Sequence, residues 1–218
     1  MRHKLILFLT VILIISLGFT NEKPKILIIG DSISIGYTPF VKKTLEDKAL
    51  VSHCKGNAKF TGNGLQNLDA WLGNEKWDII QFNWGLWDIC YRDPNKPVDY
   101  TNRDKINGKI TTTKEDYKAN LEAIVNRLKK TKAKLIFVTT TCVPDNEPGR
   151  YDKDVQEYNA IARLVMKENN IPVNDLYPIS KQIHKDDGLG DNNVHFKAQG
   201  YQKLAVKVCE GLNKLIND

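Results

Sequence analysis

The chain has 218 residues, 41% of them hydrophobic and 27% charged, which suits one or at most two globular domains and excludes wholesale disorder. Its formal net charge is +6, but the lysines are scattered along predicted helices, so the concentrated basic surface of a nucleic-acid-binding protein is not indicated. The four cysteines form no C-x-x-C pair, so metal-ligand spacing is absent, and we expect neither a metal nor a cofactor. In an oxidising compartment they allow one or two disulfides, whose pairing the spacing leaves open.

Residues 1–20 have the pattern of a secretory signal peptide. The segment "MRHK" is basic, and the run from Leu5 to Leu17 is apolar except for Thr10 and Ser16. This run is shorter than the roughly 17–25 residues that a membrane-spanning helix needs, and small residues lie at its end, as they do before a cleavage site. We therefore expect an exported protein, periplasmic or secreted, with no membrane contact beyond the leader. An uncleaved membrane anchor is the alternative.

The rest of the chain, residues 21–218, alternates short apolar strands with amphipathic helices. The predicted strands are Ile26–Ile29, Val51–Cys54, Trp77–Phe82, Leu135–Thr139 and Ile171–Val173. Several of them are continuous apolar runs, which are typical of parallel strands covered on both faces. The alternation predicts a single α/β domain, a three-layer sandwich around a central, mostly parallel five-stranded sheet.

Helices are predicted between and after these strands. One is "LQNLDAWLG", which ends at Gly73, and another is "KEDYKANLEAIVNRLKK", which follows a capping-box pattern of Thr113 and Asp116. Two more follow from apolar spacing around residues 155–165 and 201–215. The stretch Gly85–Thr112 has no regular pattern, and loops of that length are often functional or else disordered.

The first strand runs directly into Gly30, Asp31 and Ser32, with a helix-like segment behind them. In an open parallel sheet the ligand site lies at the carboxyl ends of the strands, and the N–H groups of a helix N-terminus stabilise negative charge. Ser32 is therefore a candidate nucleophile. The other interpretation is that Asp31, Ser32 or Ser34 only caps the helix.

A serine nucleophile needs a base, and histidine is the usual one. Beyond the leader the chain has His53, His184 and His195. His53 lies near the end of the second predicted strand, and His184 is expected in a polar loop. His195 stands in "GLGDNNVHFKAQGY", a glycine- and asparagine-rich loop just ahead of the last helix. We predict that it lies at the same edge of the sheet as Ser32 and acts as the base.

These segments resemble the GDSL-type SGNH hydrolases, from about Lys25 to the end of the chain. "ILIIGDSIS" is similar to that family's first block, whose serine is the nucleophile, and "VHFKAQGY" to its last block, whose histidine is the general base. "FNWGLWDI" resembles the third block through Gly85 and Asp88. The resemblance implies a serine esterase of flavodoxin-like fold, in which Ser32 attacks an ester carbonyl, His195 takes its proton and an acyl-enzyme forms.

The oxyanion hole departs from the family pattern. In the third block Trp87 stands where the family has an asparagine, and we expect Asn83 to serve instead. The family's second block supplies a backbone N–H to the oxyanion. Here the corresponding residue is Ala58, which also has a backbone N–H. The predicted oxyanion donors are therefore the N–H groups of Ser32 and Ala58 with the Asn83 amide.

The residue expected to orient the histidine also differs from the family pattern. The family's acid lies three residues before the histidine, and here that residue is Asn192. A neutral asparagine would stabilise an imidazolium less than a carboxylate does. Asp191, one position earlier, is the preferred candidate for the partner of His195, with Asn192 as the alternative.

Aromatic and arginine side chains follow the predicted strand ends and are candidates for substrate binding. Trp87 suits stacking on a sugar face, while Arg92 and Arg150 suit a carboxylate, although ordinary packing and surface charge explain them equally well. Exported family members of this size often remove acetyl groups from carbohydrates, so the resemblance implies a carbohydrate O-acetylesterase or related short-chain esterase. The alternative is a non-catalytic glycan-binding protein on a degenerate scaffold, because Trp87 and Asn192 depart from the family.

Overall fold

A five-stranded parallel sheet forms the centre of the structure, a computed structural model that describes residues 22–217. The strands are β1 (Lys25–Ile29), β2 (Leu50–His53), β3 (Ile79–Phe82), β4 (Tyr91–Arg92), β5 (Lys109–Ile110), β6 (Lys134–Val138) and β7 (Val173–Asn174). Five of them form the sheet in the order β2-β1-β3-β6-β7, all parallel, and β4 and β5 form a separate antiparallel pair. The predicted sheet strands are all present, with slightly shifted bounds.

Helices flank the sheet in two groups. They are α1 (Ser32–Thr44), α2 (Thr61–Leu72), α3 (Lys114–Lys129), α4 (Asp152–Glu168), α5 (Tyr177–Asp187) and α6 (Ala198–Asn217). Helix α6 packs against α1 and α5, while α3 packs between α2 and α4. The predicted three-layer α/β architecture is confirmed. All five sheet strands end at one edge, and the loops at that edge carry the polar residues considered below.

Local chemistry explains where one predicted helix begins and where another ends. The Thr113 hydroxyl accepts a 3.1 Å hydrogen bond from the Asp116 N–H, as the capping pattern predicted. Gly73 closes α2 with a φ of 57°, in the left-handed region that a glycine enters without a Cβ clash.

The stretch Gly85–Thr112 is only partly irregular. It contains the β4–β5 pair, and a buried tryptophan just ahead of it, Trp84, anchors it to the core. The Tyr117 hydroxyl of α3 donates to the Trp84 carbonyl at 2.8 Å, and the Thr111 N–H donates to the Cys90 carbonyl at 2.9 Å. The two partners of each bond are far apart in sequence, so local sequence carries no signal for them.

Helix α5 was not predicted, and the expectation of a polar loop around His184 was wrong. Its sequence, "YPISKQIHKDD", buries only Ser180 and Ile183, so the apolar spacing that marks an amphipathic helix is too sparse to recognise. Packing against α6 supports the helix instead.

Two further expectations concern the cysteines and the leader. Cys54, Cys90, Cys142 and Cys209 are all free and buried, so the allowed disulfides are not formed. The predicted signal peptide, residues 1–20, lies outside the described residues. Within residues 22–217, no helix combines the length and apolar character needed to cross a membrane.

Candidate active site

The turn after β1 places a helix cap and a candidate nucleophile on adjacent residues. Asp31 is the N-cap of α1, and its buried carboxylate accepts a 2.9 Å hydrogen bond from the Ile33 N–H. Burial raises the pKa of the Asp31 carboxyl, and the hydrogen bond from Ile33 opposes this rise. Because Asp31 supplies the cap, the Ser32 hydroxyl is left free at the first position of the helix.

His195 meets Ser32 across most of the chain. Its Nε2 lies 2.8 Å from Ser32 Oγ, although the two residues are 163 positions apart. The other two histidines contact different groups. His53 Nε2 lies 2.7 Å from Ser34 Oγ, and His184 Nε2 lies 2.6 Å from the Asn193 carbonyl oxygen. The structure thus brings together the serine and histidine that the sequence paired.

The side chain behind His195 is Asn193, not Asp191 or Asn192. Asn193 Oδ1 lies 2.8 Å from His195 Nδ1. Both predicted residues are exposed, and the Asp191 carboxylate instead accepts a 2.7 Å hydrogen bond from the Asn146 side chain. The expectation for Asp191 and Asn192 is corrected because the loop directs both away from the imidazole.

A second contact of Asn193 determines the tautomer of the histidine. Its Oδ1 also accepts the backbone N–H of His195 at 3.0 Å, which requires the amide oxygen, not the NH2, to face the ring. Nδ1 must then donate to that oxygen. The lone pair of Nε2 is left to face Ser32 Oγ, the arrangement that a general base needs. A neutral residue therefore orients the imidazole without supplying a negative charge.

The loop that carries this pair is anchored on both sides. His184 of α5 donates from Nε2 to the Asn193 carbonyl, and the Leu189 N–H donates to the His195 carbonyl at 3.0 Å. The next residue, Phe196, is buried and forms an isolated bridge with Gly188. The position of the imidazole thus depends on contacts with the end of α5.

Two of the three predicted oxyanion donors are already engaged. The Ala58 N–H donates to the Gly30 carbonyl at 3.0 Å, which extends the pairing of β1 and β2 beyond their ends. The Asn83 side-chain NH2 donates to the Val138 carbonyl at 2.7 Å, and Asn83 does not line the cavity at Ser32. The Ala58 N–H has a single hydrogen and is therefore not available to a substrate. The Asn83 NH2 keeps a second hydrogen, but the side chain is not part of the lining of the Ser32 cavity.

The third predicted donor, the Ser32 N–H, is available, and Asn57 offers a donor that was not predicted. No acceptor within the described chain contacts the Ser32 N–H, which lies in the first turn of α1, where such groups are unpaired. Asn57 lines the cavity, and its Oδ1 accepts the Lys59 N–H at 2.8 Å. Because the amide oxygen is engaged there, the Asn57 NH2 is free to donate elsewhere.

The Ser32–His195 pair opens into a cavity of about 550 Å³. Its lining includes Asn57, Lys59, Trp87, Tyr100, Arg103 and Arg150. The volume is in the range of small-molecule sites, and the wall includes three cationic and two aromatic side chains besides His195.

The three predicted substrate-binding residues differ in their access to this cavity. Trp87 lines it, with 9% of its surface exposed. Arg92 is buried behind the tryptophan, with its guanidinium 5.0 Å from the ring centroid, and it is not part of the wall. Arg150 lines the cavity, but its Nη1 is paired with the fully buried Glu147 at 2.6 Å, so the structure gives it an internal partner.

Electrostatics favour a neutral imidazole at His195. Burial lowers the pKa of His195, and the nearby guanidiniums of Arg150 and Arg103 lower it further, while the Glu147 carboxylate partly opposes them. A histidine with a lowered pKa is unprotonated at neutral pH and can accept a proton.

Asp88, the acid of the segment "FNWGLWDI", links the loop that carries Trp87 to the start of α2. Its buried carboxylate accepts hydrogen bonds from the Thr61 N–H at 2.9 Å and the Thr61 hydroxyl at 2.6 Å, which tie the start of α2 to this loop. Burial raises the pKa of Asp88 to about 6. Over residues 22–217, no group of three or more His, Cys, Asp or Glu side chains is placed to hold a metal ion.

A comparison with protein families places the chain among the carboxylic ester hydrolases. Residues 28–203 match the model of the GDSL-like lipase/acylhydrolase family, and the chain belongs to that family. No functionally curated protein sequence matches it.

Solved structures share the fold at low sequence identity. A lipase/acylhydrolase from Enterococcus faecalis is 21% identical with a TM-score of 0.69, over 88% of this chain and 96% of its own. The acetyl xylan esterase AlAXEase is 17% identical with a TM-score of 0.66, over 86% and 99%. A mutant of the acetyl-xylooligosaccharide esterase Axe2 from Geobacillus is 15% identical with a TM-score of 0.64, over 89% and 94%.

Three residues of the site were missed by sequence reasoning: Asn57, Lys59 and Asn193. Asn193 was overlooked because the family spacing pointed one position earlier. Asn57 and Lys59 lie in "KGNAKFTG", where only the backbone of Ala58 was considered. The Asn-x-Lys spacing carries a usable signal, because an asparagine side chain commonly bonds to the backbone two residues on.

Proposed function

We propose that this chain is a serine esterase that hydrolyses short-chain, chiefly O-acetyl, esters of carbohydrates through Ser32 and His195. The observation that carries the proposal is the 2.8 Å contact between His195 Nε2 and Ser32 Oγ at the mouth of a cavity at the carboxyl edge of the sheet. The tautomer required by Asn193 leaves Nε2 able to take the hydroxyl proton.

The reaction follows from these positions. Ser32 Oγ attacks the ester carbonyl while His195 accepts its proton at Nε2. The resulting oxyanion is held by the Ser32 N–H at the α1 N-terminus and by the Asn57 amide. His195 then protonates the leaving alcohol. In the second half, His195 takes a proton from water, the hydroxide attacks the acyl-enzyme, and the carboxylic acid leaves as Ser32 regains its proton.

The substrate class rests on the cavity and on the relatives. Tyr100 offers an exposed aromatic face of the kind that stacks on sugars, and Trp87 lines the same cavity. Two structural neighbours are described as an acetyl xylan esterase and an acetyl-xylooligosaccharide esterase. We further propose that residues 1–20 direct export and that residues 21–218 form one mature domain, on the basic and apolar pattern of the leader.

The test is covalent labelling together with turnover. Purified protein is treated with a fluorophosphonate probe and assayed on p-nitrophenyl acetate and on acetylated xylo-oligosaccharides, beside Ser32→Ala. We expect the wild type to be labelled on Ser32 and to release acetate. We expect Ser32→Ala to lose labelling and at least about 10³-fold in kcat while its Tm stays within a few degrees. Activity that survives in Ser32→Ala overturns the assignment of the nucleophile.

A glycan-binding protein without catalysis is the second candidate. The observation in its favour concerns two expected oxyanion donors: the Ala58 N–H is engaged by the Gly30 carbonyl, and Asn83 does not line the Ser32 cavity. If wild type and Ser32→Ala are equally inactive and unlabelled while xylo-oligosaccharides bind both with the same Kd, this second function replaces the first.

A further inference from the structure

Lys59 occupies an unusual backbone conformation at the wall of the Ser32 cavity. Its φ is 52°, in the left-handed region that residues with a side chain adopt at a cost and that concentrates at functional sites. The Asn57 Oδ1 holds this turn by accepting the Lys59 N–H. The turn brings the lysine side chain to the cavity, where its Nζ lies 5.6 Å from the centroid of the Trp87 ring.

Lys59 has no carboxylate partner anywhere in residues 22–217. Its ammonium group is therefore only weakly compensated, by the face of Trp87. A ligand that fills the cavity would remove water from this charge, and burying an unpaired charge is costly. An anionic ligand would supply the missing partner.

Arg103 adds a second cation to the same wall. Its side chain is 36% exposed, and its Nη1 lies 3.3 Å from Glu147 Oε1, the same oxygen that Arg150 Nη1 approaches to 2.6 Å. One buried carboxylate thus serves two guanidiniums. The remaining N–H groups of the Arg103 guanidinium are free for a ligand, and the guanidinium fork matches a carboxylate.

The acids near the cavity cancel only part of these charges. Asp99 is the one acidic residue in the lining, and its Oδ1 is occupied by the N–H groups of Thr101 and Asn102. Arg92 lies behind Trp87 with only 3% exposure, and its Nε and Nη2 contact no acceptor within the described chain. The cations Lys59, Arg92, Arg103 and Arg150 outnumber the carboxylates of Asp99 and Glu147, so the surroundings of the cavity are positive overall.

We propose that the ester substrate carries a carboxylate and that Lys59 and Arg103 bind it, which makes an O-acetylated uronic acid the preferred sugar. This inference rests on the proposed function and specifies its substrate class. Tyr100, an exposed aromatic residue of the same lining, offers its ring to the sugar face, while the acetyl ester lies at Ser32. The selectivity arises because a neutral sugar leaves Lys59 without a counter-charge and a uronate provides one.

The test compares two substrates that differ only at C6, the mono-O-acetyl esters of methyl glucuronide, which has a carboxylate there, and of methyl glucoside, which has a neutral hydroxymethyl group. Acetate release is followed for the wild type, Lys59→Gln and Arg103→Gln at low and high salt. We expect the wild type to prefer the glucuronide by about tenfold in kcat/KM, mainly through KM, and to lose part of this preference at high salt. Each substitution is expected to reduce the preference severalfold.

Lys132→Gln is the matched control. Lys132 also has a left-handed backbone, with a φ of 62°, but it is exposed in the turn between α3 and β6, remote from the cavity lining. The same change of side chain at the same backbone conformation should leave the preference as in the wild type. Circular dichroism and Tm establish that every variant is folded.

Two sets of results overturn the inference while the proposed function stands. One is Ser32-dependent hydrolysis of both sugars at equal kcat/KM by the wild type. The other is an equal loss on both sugars in Lys59→Gln and Arg103→Gln, which would mean that these cations only support the cavity wall. Failure of the proposed function has a different signature: neither sugar nor p-nitrophenyl acetate is hydrolysed, and the fluorophosphonate does not label Ser32.

Discussion

Replacing the neutral partner of His195 with an acid tests the geometry of the site most directly. Asn193→Asp keeps the shape of the side chain and places a carboxylate oxygen where Oδ1 now lies, 2.8 Å from Nδ1. The backbone N–H of His195, which donates to the same oxygen at 3.0 Å, would hold the carboxylate in that orientation. The change adds one negative charge and leaves the tautomer as it is.

The expected effect is a higher pKa of His195. Two opposite unit charges about 4 Å apart interact by about 4 kcal/mol at an effective dielectric constant of about 20. Desolvation of the new carboxylate removes part of this, so we expect a net rise of about one to two pKa units, each worth about 1.4 kcal/mol. In the wild type, burial and the two arginines hold this pKa below its usual value, so the rise starts from there.

The assay is the pH dependence of kcat/KM on a short-chain acetyl ester between about pH 4 and pH 9. The base acts in its neutral form, so the acidic limb of the profile follows the pKa of His195 in the free enzyme. A higher pKa moves the midpoint of that limb to higher pH. At pH 8 we expect kcat to rise by about tenfold or less, because a carboxylate stabilises the imidazolium but the correct tautomer is already present.

Asn192→Asp is the matched control, because it adds the same charge one residue earlier, on a side chain that is exposed. Solvent screens that charge, and we expect the midpoint to move little. If Asn192→Asp moves the midpoint and Asn193→Asp does not, the loop has the family's spacing and the contact with Asn193 is refuted. An unchanged profile in both variants would show that neither side chain faces the imidazole.

Two predictions concern buried acids. Burial raises the pKa of Asp88 to about 6, above the usual value of about 3.9, so its contribution to stability is lost as pH rises through this range. Relative to Asp88→Asn, which keeps an acceptor for Thr61, the wild type should lose about 2 kcal/mol of unfolding free energy between pH 4 and pH 7 in urea titrations. A constant difference contradicts this. Glu147→Gln leaves the buried Arg150 without a counter-charge and should lower the unfolding free energy by about 3 kcal/mol, seen as a fall in Tm. Glu147→Gln should also move the acidic limb of the kcat/KM profile to lower pH, because the Glu147 carboxylate raises the pKa of His195. An unmoved limb would show that this carboxylate does not influence the imidazole.

The amino-acid sequence by itself determined the architecture and the meeting of Ser32 with His195. Continuous apolar strands separated by amphipathic helices specify a parallel sheet, and the carboxyl ends of parallel strands share one edge. A serine just after the first strand and a histidine just before the last helix therefore come to the same edge. These are consequences of periodicity and chain order, which local sequence contains.

Only the tertiary structure decided which neighbours complete the site. Asn193, not Asp191, faces the imidazole because contacts from α5 shape the loop. The Ala58 N–H is consumed by the Gly30 carbonyl, and the Asn83 side chain is held at the Val138 carbonyl, outside the lining of the Ser32 cavity. Each outcome depends on a hydrogen-bond partner distant in the chain, and an N–H that meets a carbonyl in the folded protein is no longer free for a substrate.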